Sequence, residues 1–93
     1  MKITILGSTG SIGRQSVDVA QFMGYEVTSL AFGSDIKTGE EQLRLLKPRI
    51  CAVFDEAAGR ELAMRVSDTD TKVVWGEEGV VEAASFWGLR GRV

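Results

Sequence analysis

A glycine-rich run, GSTGSIG at residues 7–13, constrains the fold of this chain more than any other feature. It follows the apolar residues 3–6, which predict a strand, and precedes a helical pattern that begins near Ile12. Its spacing, G-x-x-G-x-x-G, is a variant of the G-x-G-x-x-G pattern found in dinucleotide-binding folds. Glycines there allow a tight turn, close approach of a pyrophosphate and close helix–strand packing, and the helix N-terminus adds partial positive charge. The run therefore predicts a phosphate-binding loop built on Gly7, Gly10 and Gly13.

Strand and helix patterns alternate along the chain. Strands are predicted over 2–6, 26–32, 50–54 and 72–75, and helices over 12–23, from Thr38 to just before Pro48, over 56–66 and over 77–85. Strands that alternate with helices form parallel sheets through right-handed crossovers. The pattern thus predicts an α/β fold, a Rossmann-like parallel sheet of about four strands with flanking helices, as an incomplete domain.

Several helices carry signals at their ends. Gly24 suits the end of the first helix, Thr38 with Glu41 matches a capping box, and Asp55 can cap the third helix. The first helix also has one apolar face at helical spacing. That face comprises Ile12, Ser16, Val19, Ala20 and Met23.

Composition excludes several classes of function. The 93 residues suit one small domain, and a net charge of −2 without a basic excess argues against nucleic-acid binding. No apolar run approaches the length of a membrane span, and the start of the sequence does not resemble a signal peptide. With Cys51 as the sole cysteine and no histidine, this sequence holds neither a Cys/His zinc site nor a Ser/His/Asp or Cys/His catalytic group. Cys51 lies in an apolar run, which predicts a buried, reduced thiol.

The end of the predicted second strand bears on the choice between NAD and NADP. Asp35 follows Gly13 by 22 positions, near the place where an acidic residue holds the ribose 2′-OH of NAD. Lys37 is close in sequence and can instead neutralise a 2′-phosphate. In the alternative interpretation, Asp35 only shapes a turn and Lys37 is solvated. The residues alone leave this choice open.

The glycine run also carries a family resemblance. Together with VDV at 17–19 and KPR at 47–49, it resembles the start of the 1-deoxy-D-xylulose-5-phosphate reductoisomerase family. The resemblance implies a partial NADP-binding domain over residues 1–85, followed by a divergent tail over 86–93. It implies an NADPH-dependent enzyme that makes 2-C-methyl-D-erythritol 4-phosphate in the non-mevalonate isoprenoid pathway, with Mg²⁺ or Mn²⁺ as a second cofactor.

The same resemblance assigns binding roles. It implies that two segments hold the ends of the dinucleotide: the pyrophosphate on Thr9, Gly10, Ser11 and Ile12, and the adenosine end on Gly33, Ser34 and Asp35. The family typically has asparagine at the last of these positions, and a carboxylate there repels a 2′-phosphate. Because the family's metal and substrate groups lie in segments that this sequence does not include, we expect no catalytic or metal-ligating residue here, and cofactor binding without turnover.

Other interpretations stay open at this point. The chain can also be a stand-alone, non-catalytic dinucleotide-binding module, the start of another G-x-x-G-x-x-G dehydrogenase, or the remnant of a gene. We expect a cytoplasmic location, or the plastid stroma for a plant protein. In the resembled fold a further strand pairs with strand 2–6, so we expect that strand to present an open apolar edge that favours association between copies.

Overall fold

The computed structural model describes the backbone of residues 1–91 and the side chains of residues 1–85. Along these residues, strands and helices alternate as the sequence predicts. The elements are β1 (Lys2–Leu6), α1 (Ser11–Met23), β2 (Glu26–Phe32), α2 (Ile36–Leu46), β3 (Ile50–Val53), α3 (Glu56–Arg65), β4 (Lys72–Trp75) and α4 (Gly76–Gly91). None of the helices within residues 1–91 is long and apolar enough to cross a membrane.

The four strands form one parallel sheet in the order β1-β2-β3-β4. Helices α1, α2 and α3 cover one face, where Cys51 and Val53 of β3 join the larger part of the core. Helix α4 crosses the other face and contacts all four strands, with Ala83 packed near Ile50 and Ala52. Because successive residues of a strand face opposite sides, a strand covered on both faces is apolar throughout, as β3 is. The predicted Rossmann-like α/β fold is confirmed.

The main core takes its buried side chains from β1, β2, β3 and the three helices on that face, with the largest number from β2. Leu30, Leu43 and Leu62 come from β2, α2 and α3 and are fully buried. Each contributes about 1.5–3 kcal/mol through removal of its apolar surface from water. Cys51 lies among them, and burial raises the pKa of its thiol to about 12. The prediction that Cys51 is buried is therefore confirmed.

Each helix approaches its neighbours through one buried glycine near its N-terminal end. The closeness can be measured by placing a β-carbon on each glycine. At Gly13 it would lie 1.9 Å from the Gly7 carbonyl oxygen, and at Gly39 it would lie 2.1 Å from the Phe32 ring. At Gly59 it would lie 2.5 Å from Trp75 Cβ, and at Gly79 it would lie 3.1 Å from the Val74 backbone. Real β-carbons essentially never come within 3.0 Å of another heavy atom. Helices α1 and α3 therefore pack closer, at their first turns, than a residue with a side chain would allow, whereas a side chain in α2 would displace the Phe32 ring and the approach of α4 is tight but less restrictive.

The apolar face predicted for α1 does not lie on the sheet. The buried residues are Gly13, Val17 and Ala20, whereas Ile12 and Val19 are 77% and 57% exposed. Apolar side chains occur on several sides of α1, so more than one of its faces shows apolar residues at helical spacing. The predicted face lies beside the free edge of β1, and Ala20 is its only buried member.

Three element ends also differ from the sequence prediction. Asp35, not Thr38, caps α2, so the Thr38–Glu41 capping box is wrong. β3 ends at Val53, and Phe54, predicted inside the strand, is exposed. Helix α4 continues through Gly91 instead of ending near 85, although the last positions of the predicted tail, 92–93, lie outside the described residues. The predicted caps at Gly24 and Asp55 are confirmed.

Replacement of Gly59 by alanine tests the close approach of α3. Inside an exposed helix this change stabilises a protein by about 1 kcal/mol. Here the new methyl group would lie 2.5 Å from Trp75 Cβ and 3.3 Å from Val53 Cβ. We expect Gly59→Ala to lower the free energy of unfolding by about 1–3 kcal/mol, as overpacking does. Urea unfolding measures the change.

Gly33→Ala is the matched control, because no described atom lies within 4 Å of a β-carbon at that position. Its effect should stay within about 0.5 kcal/mol. A Gly59→Ala protein as stable as the unmodified chain would contradict the close approach.

Candidate functional site

The glycine run forms a tight loop between β1 and α1 that is hydrogen-bonded to the neighbouring strand. Gly7 has φ +70°, a left-handed conformation that glycine adopts without steric cost. The N–H groups of Gly7 and Ser8 both donate to the carbonyl oxygen of Ala31 in β2, at 2.7 and 3.0 Å. The N–H of Gly10 donates to the Gly7 carbonyl at 3.1 Å and closes the turn. The loop is thereby fixed at the carboxyl edge, the side of the sheet where the parallel strands end.

Helix α1 begins with backbone amides that carry no cap within the described part of the chain. Gly10 occupies the N-cap position without a side-chain hydrogen bond, and the first turn contains no acidic residue. The first N–H groups of a helix have no partner inside it, and the N-terminus carries about half an elementary positive charge. The amides of Ser11, Ile12 and Gly13 therefore suit an anion such as a phosphate.

Gly10 and Gly13 serve different purposes in this loop. At Gly10, φ is −76° and the described atom nearest to an added β-carbon is the Gly7 carbonyl oxygen, 3.6 Å away. The fold therefore does not require glycine there, but a bare backbone leaves the outer side of the loop accessible. Gly13 is buried, and the fold requires it because α1 presses against Gly7.

The structure places all the predicted phosphate residues on this one loop and first turn, namely Gly7, Thr9, Gly10, Ser11, Ile12 and Gly13. Most of them are exposed, and Thr9 is half-buried. The side chain of Ile12 is mostly exposed, and its backbone N–H lies in the first turn of α1.

The second predicted segment, Gly33-Ser34-Asp35, lies exposed where β2 ends. Asp35 accepts a hydrogen bond from the N–H of Thr38 at 3.2 Å and caps α2. Hydrogen bonding from Thr38 is the main reason that the pKa of Asp35 lies below its ordinary value, and the positive charges of Arg14 and Lys37 lower it further. The carboxylate is therefore ionised at neutral pH and partly engaged by its own helix.

Arg14 and Lys37 bring positive charge to the surroundings of Asp35. Both are exposed, one on α1 and one on α2, and both lie close enough to lower the pKa of that carboxyl group. Two cations around one carboxylate leave a positive balance beside the exposed segment. Because of these cations, the surface is more suitable for an anionic group than the acidic residue at position 35 alone suggests. The charges do not by themselves distinguish NAD from NADP.

An apolar groove of about 240 Å³ connects the two segments. It opens at the carboxyl edge and is lined by Leu6, Gly7, Ala31, Phe32, Gly33, Phe54 and Val80. A flat ring or a sugar can lie along such a surface, because ligand sites combine apolar walls with a few polar groups. The groove therefore extends the phosphate loop into a longer site.

Sequence reasoning missed Phe54 as part of this site. Its side chain is 59% exposed and lines the groove beside Gly33. The available signal was its position directly after the buried strand β3, at the edge where parallel strands present ligand-binding residues.

A larger groove of about 450 Å³ lies at the opposite edge of the sheet, between the end of α2 and residues 68–71. Its principal cation, Arg44, is already paired with Asp68 at 3.0 Å and with Glu40 at 3.1 Å. Hydrogen bonds from Arg44 to Asp68 raise the pKa of Arg44 and lower that of Asp68. These charges satisfy one another, so the groove is a weaker candidate than the carboxyl edge.

Metal-ligating side chains are dispersed in the described part of the chain. No three His, Cys, Asp or Glu side chains among these residues lie together in a way that could hold a metal ion. The potential metal ligands among the described residues therefore do not form a divalent metal site.

The sequence profile of the 1-deoxy-D-xylulose 5-phosphate reductoisomerase family matches residues 3–88. The chain belongs to this family. It is 50% identical over 85 residues to the reductoisomerase of Acetivibrio thermocellus, covering 91% of this chain and 22% of that protein. It is 44% identical over 86 residues to the enzyme of Desulfitobacterium hafniense, covering 90% and 23%.

Solved reductoisomerase structures share the fold. One, in complex with NADPH, fosmidomycin and magnesium, has a TM-score of 0.84 and 26% identity, covering 91% of this chain and 22% of its own. The enzyme of Zymomonas mobilis in complex with NADPH has a TM-score of 0.83 and 24% identity, covering 89% and 22%. The chain thus spans about a fifth of the length of its reductoisomerase relatives. The family resemblance of the glycine run is confirmed.

Proposed function

We propose that this chain is the NADPH-binding portion of a 1-deoxy-D-xylulose 5-phosphate reductoisomerase. One observation carries the proposal: the N-terminus of α1 has no side-chain cap, and Gly10 at that end has no side chain to cover its amides. Two hydrogen bonds to the Ala31 carbonyl oxygen hold the loop in place. Membership of the family supports the pyrophosphate of a dinucleotide as the anion. The solved relatives that bind NADPH support this identity.

In this proposal the chain binds and orients the cofactor along the carboxyl edge. The amides of Thr9 to Gly13 receive the pyrophosphate, and the groove beside Phe54 leads to the adenosine end at Gly33 to Asp35. The positive charges of Arg14 and Lys37 offset the negative charge of Asp35 and so reduce its repulsion of a 2′-phosphate. When bound, NADPH supplies the hydride for reduction.

The remainder of the family reaction belongs to parts of the longer relatives that this chain does not span. We assign binding of the phosphorylated sugar substrate and of the divalent metal to those parts, since one solved relative holds magnesium and the described residues offer no matching ligands. The overall conversion would yield 2-C-methyl-D-erythritol 4-phosphate for isoprenoid synthesis. We propose a cytoplasmic location, as expected for a bacterial enzyme of intermediary metabolism whose relatives are bacterial.

Gly10→Val tests the phosphate loop at a position where a β-carbon has space. The added side chain would project from the outer side of the loop, where the nearest described atom is 3.6 Å from its β-carbon. We expect the unmodified chain to bind NADPH with a dissociation constant of about 10–100 μM. The variant should bind at least about tenfold more weakly, which is a loss of ~1.4 kcal/mol or more. Fluorescence titration with NADPH measures both.

Ser67→Val is the matched control, because it adds the same side chain at an exposed position on the opposite edge of the sheet. It should bind NADPH as the unmodified chain does. Equal binding by Gly10→Val and by the unmodified chain would rule out this loop as the pyrophosphate site.

Asp35→Asn tests the choice of cofactor. Asparagine caps a helix about as well as aspartate, so α2 keeps its cap while one negative charge is removed. We expect the ratio of NADPH to NADH affinity to rise by about two- to fivefold, the range of exposed charge pairs. Titrations with both cofactors, at low and moderate salt, measure the ratio. A ratio that does not change would place the carboxylate away from the 2′-phosphate.

We propose, as a second property, that the free edge of β1 joins two copies of this chain. Among the described strands β1 pairs only with β2, and an apolar groove of about 330 Å³ lies beside it. The groove is lined by Ile3, Ile12, Gln15, Ser16, Val19, Ala20 and Tyr25. An unpaired strand beside apolar surface favours pairing with an identical strand.

Val19→Lys should therefore shift the chain toward the monomer in sedimentation velocity experiments at micromolar concentration. Val19 is 57% exposed, so its replacement should leave the free energy of unfolding nearly unchanged. Val81→Lys on α4 is matched in residue type and in its 58% exposure, and it should have no effect on association. A monomeric unmodified chain, or equal effects of both variants, would refute the β1 interface.

A further inference from the structure

Gln42 is a buried amide that reaches from α2 into the phosphate loop. Only 6% of it is exposed. Its Nε2 donates a hydrogen bond to the backbone carbonyl oxygen of Ser8, at 2.7 Å. The other amide atom, Oε1, has no hydrogen-bond partner among the described atoms, and neither has the buried hydroxyl of Ser8.

The two amide atoms of Gln42 have opposite effects on stability. The unpartnered Oε1 is destabilising, whereas the hydrogen bond from Nε2 satisfies the carbonyl oxygen of Ser8, which an apolar side chain would leave without this partner. What this side chain provides is one hydrogen bond to the loop, and that bond affects the orientation of the loop backbone.

The bond fixes the orientation of the peptide between Ser8 and Thr9. The described residues contain no cis peptide bond. In a planar trans peptide the carbonyl of one residue and the N–H of the next point in opposite directions. Because the Ser8 carbonyl is directed at Gln42, the N–H of Thr9 is directed away from Gln42.

The Ser8 backbone is therefore held at both ends. Its N–H donates to the Ala31 carbonyl of β2 at 3.0 Å, and its carbonyl accepts from Gln42 of α2 at 2.7 Å. Gly39 allows this reach, because without a side chain it brings α2 against Phe32 at the end of β2. The two contacts prevent the peptide from rotating and from directing its carbonyl oxygen toward an approaching phosphate.

We propose that Gln42 is a positioning residue for the dinucleotide, which directs the Thr9 N–H toward the pyrophosphate. This inference rests on the proposed function of the loop. It extends that function by assigning the geometry of the loop to a side chain on another helix, which does not itself touch the ligand.

Gln42→Met removes the amide donor and keeps a flexible, unbranched side chain of similar length. We expect NADPH affinity to fall about tenfold, the effect of misdirecting one hydrogen bond to a charged group. Gln21→Met is the matched control, because it makes the same replacement at an exposed position near the C-terminal end of α1, away from the loop. That variant should bind NADPH like the unmodified chain. Urea unfolding shows whether each protein is folded under the titration conditions.

A second probe separates positioning from general loosening of the site. Adenosine 2′-monophosphate lacks the pyrophosphate, so its binding should be the same in Gln42→Met and in the unmodified chain. Equal weakening of both ligands would show a structural role only and would overturn the inference. Unchanged NADPH binding by Gln42→Met would overturn it while leaving the proposed function in place. Failure of the unmodified chain to bind NADPH would overturn both.

A measurement on the unmodified chain covers the case in which Gln42→Met does not fold. The Thr9 amide proton should exchange rapidly with water in the free protein, and NADPH should protect it and shift its NMR resonance. A Thr9 amide that is protected before NADPH is added, or that does not respond to it, would show that the peptide faces the other way.

Discussion

The close approach of each helix to the sheet at a single glycine determines where this structure can bind a ligand. A β-carbon at Gly13 would lie within 3.0 Å of the Gly7 backbone, one at Gly59 within 3.0 Å of Trp75 Cβ, and one at Gly39 would displace the Phe32 ring. All of these glycines lie in the first turns of their helices. The N-terminal ends are therefore drawn against the ends of the strands, and their partial positive charges converge on the carboxyl edge.

The three helices α1, α2 and α3, whose N-termini meet at this edge, differ in whether an aspartate side chain caps them, and this difference distinguishes the candidate anion site. Asp55 caps α3 by accepting a hydrogen bond from the Ala58 N–H at 2.9 Å, and Asp35 caps α2 in the same way. Each aspartate partly neutralises its own helix terminus and satisfies one of its free amides. At α1 the corresponding residue is Gly10, which has no side chain to offer. Of these three helices, α1 alone leaves its amides to be satisfied by an anion from outside.

The sequence predicted the elements and the loop well, because both depend on local signals. Glycine spacing, apolar runs and cap residues act over a few positions, and the strands of the sheet follow them closely. The face of α1 was not predictable in this way. Ile12, Val19 and Met23 match helical spacing as well as the true core residues Val17 and Ala20 do, and only the position of β1 at the edge of the sheet separates the two faces.

Contacts between distant segments explain what else sequence reasoning missed. Gln42 lies 34 residues from Ser8, and its role depends on how close Gly39 brings α2 to the sheet. No local pattern marks a glutamine that bonds to a remote carbonyl. Phe54 continues the apolar run of β3 in the sequence, and only the end of strand pairing at Val53 shows that it belongs to the surface of the groove.

Asp35 illustrates how the fold changes the meaning of a residue that the sequence presents as a simple charge. As a free carboxylate beside a ribose, it would favour a 2′-OH and repel a 2′-phosphate. In the structure Oδ1 accepts from the Thr38 N–H, and the helix terminus together with Arg14 and Lys37 favours its ionised form. The same positive groups would also attract a nearby phosphate, and this attraction opposes the repulsion from Asp35. In the structure, the carboxylate therefore serves as the cap of α2.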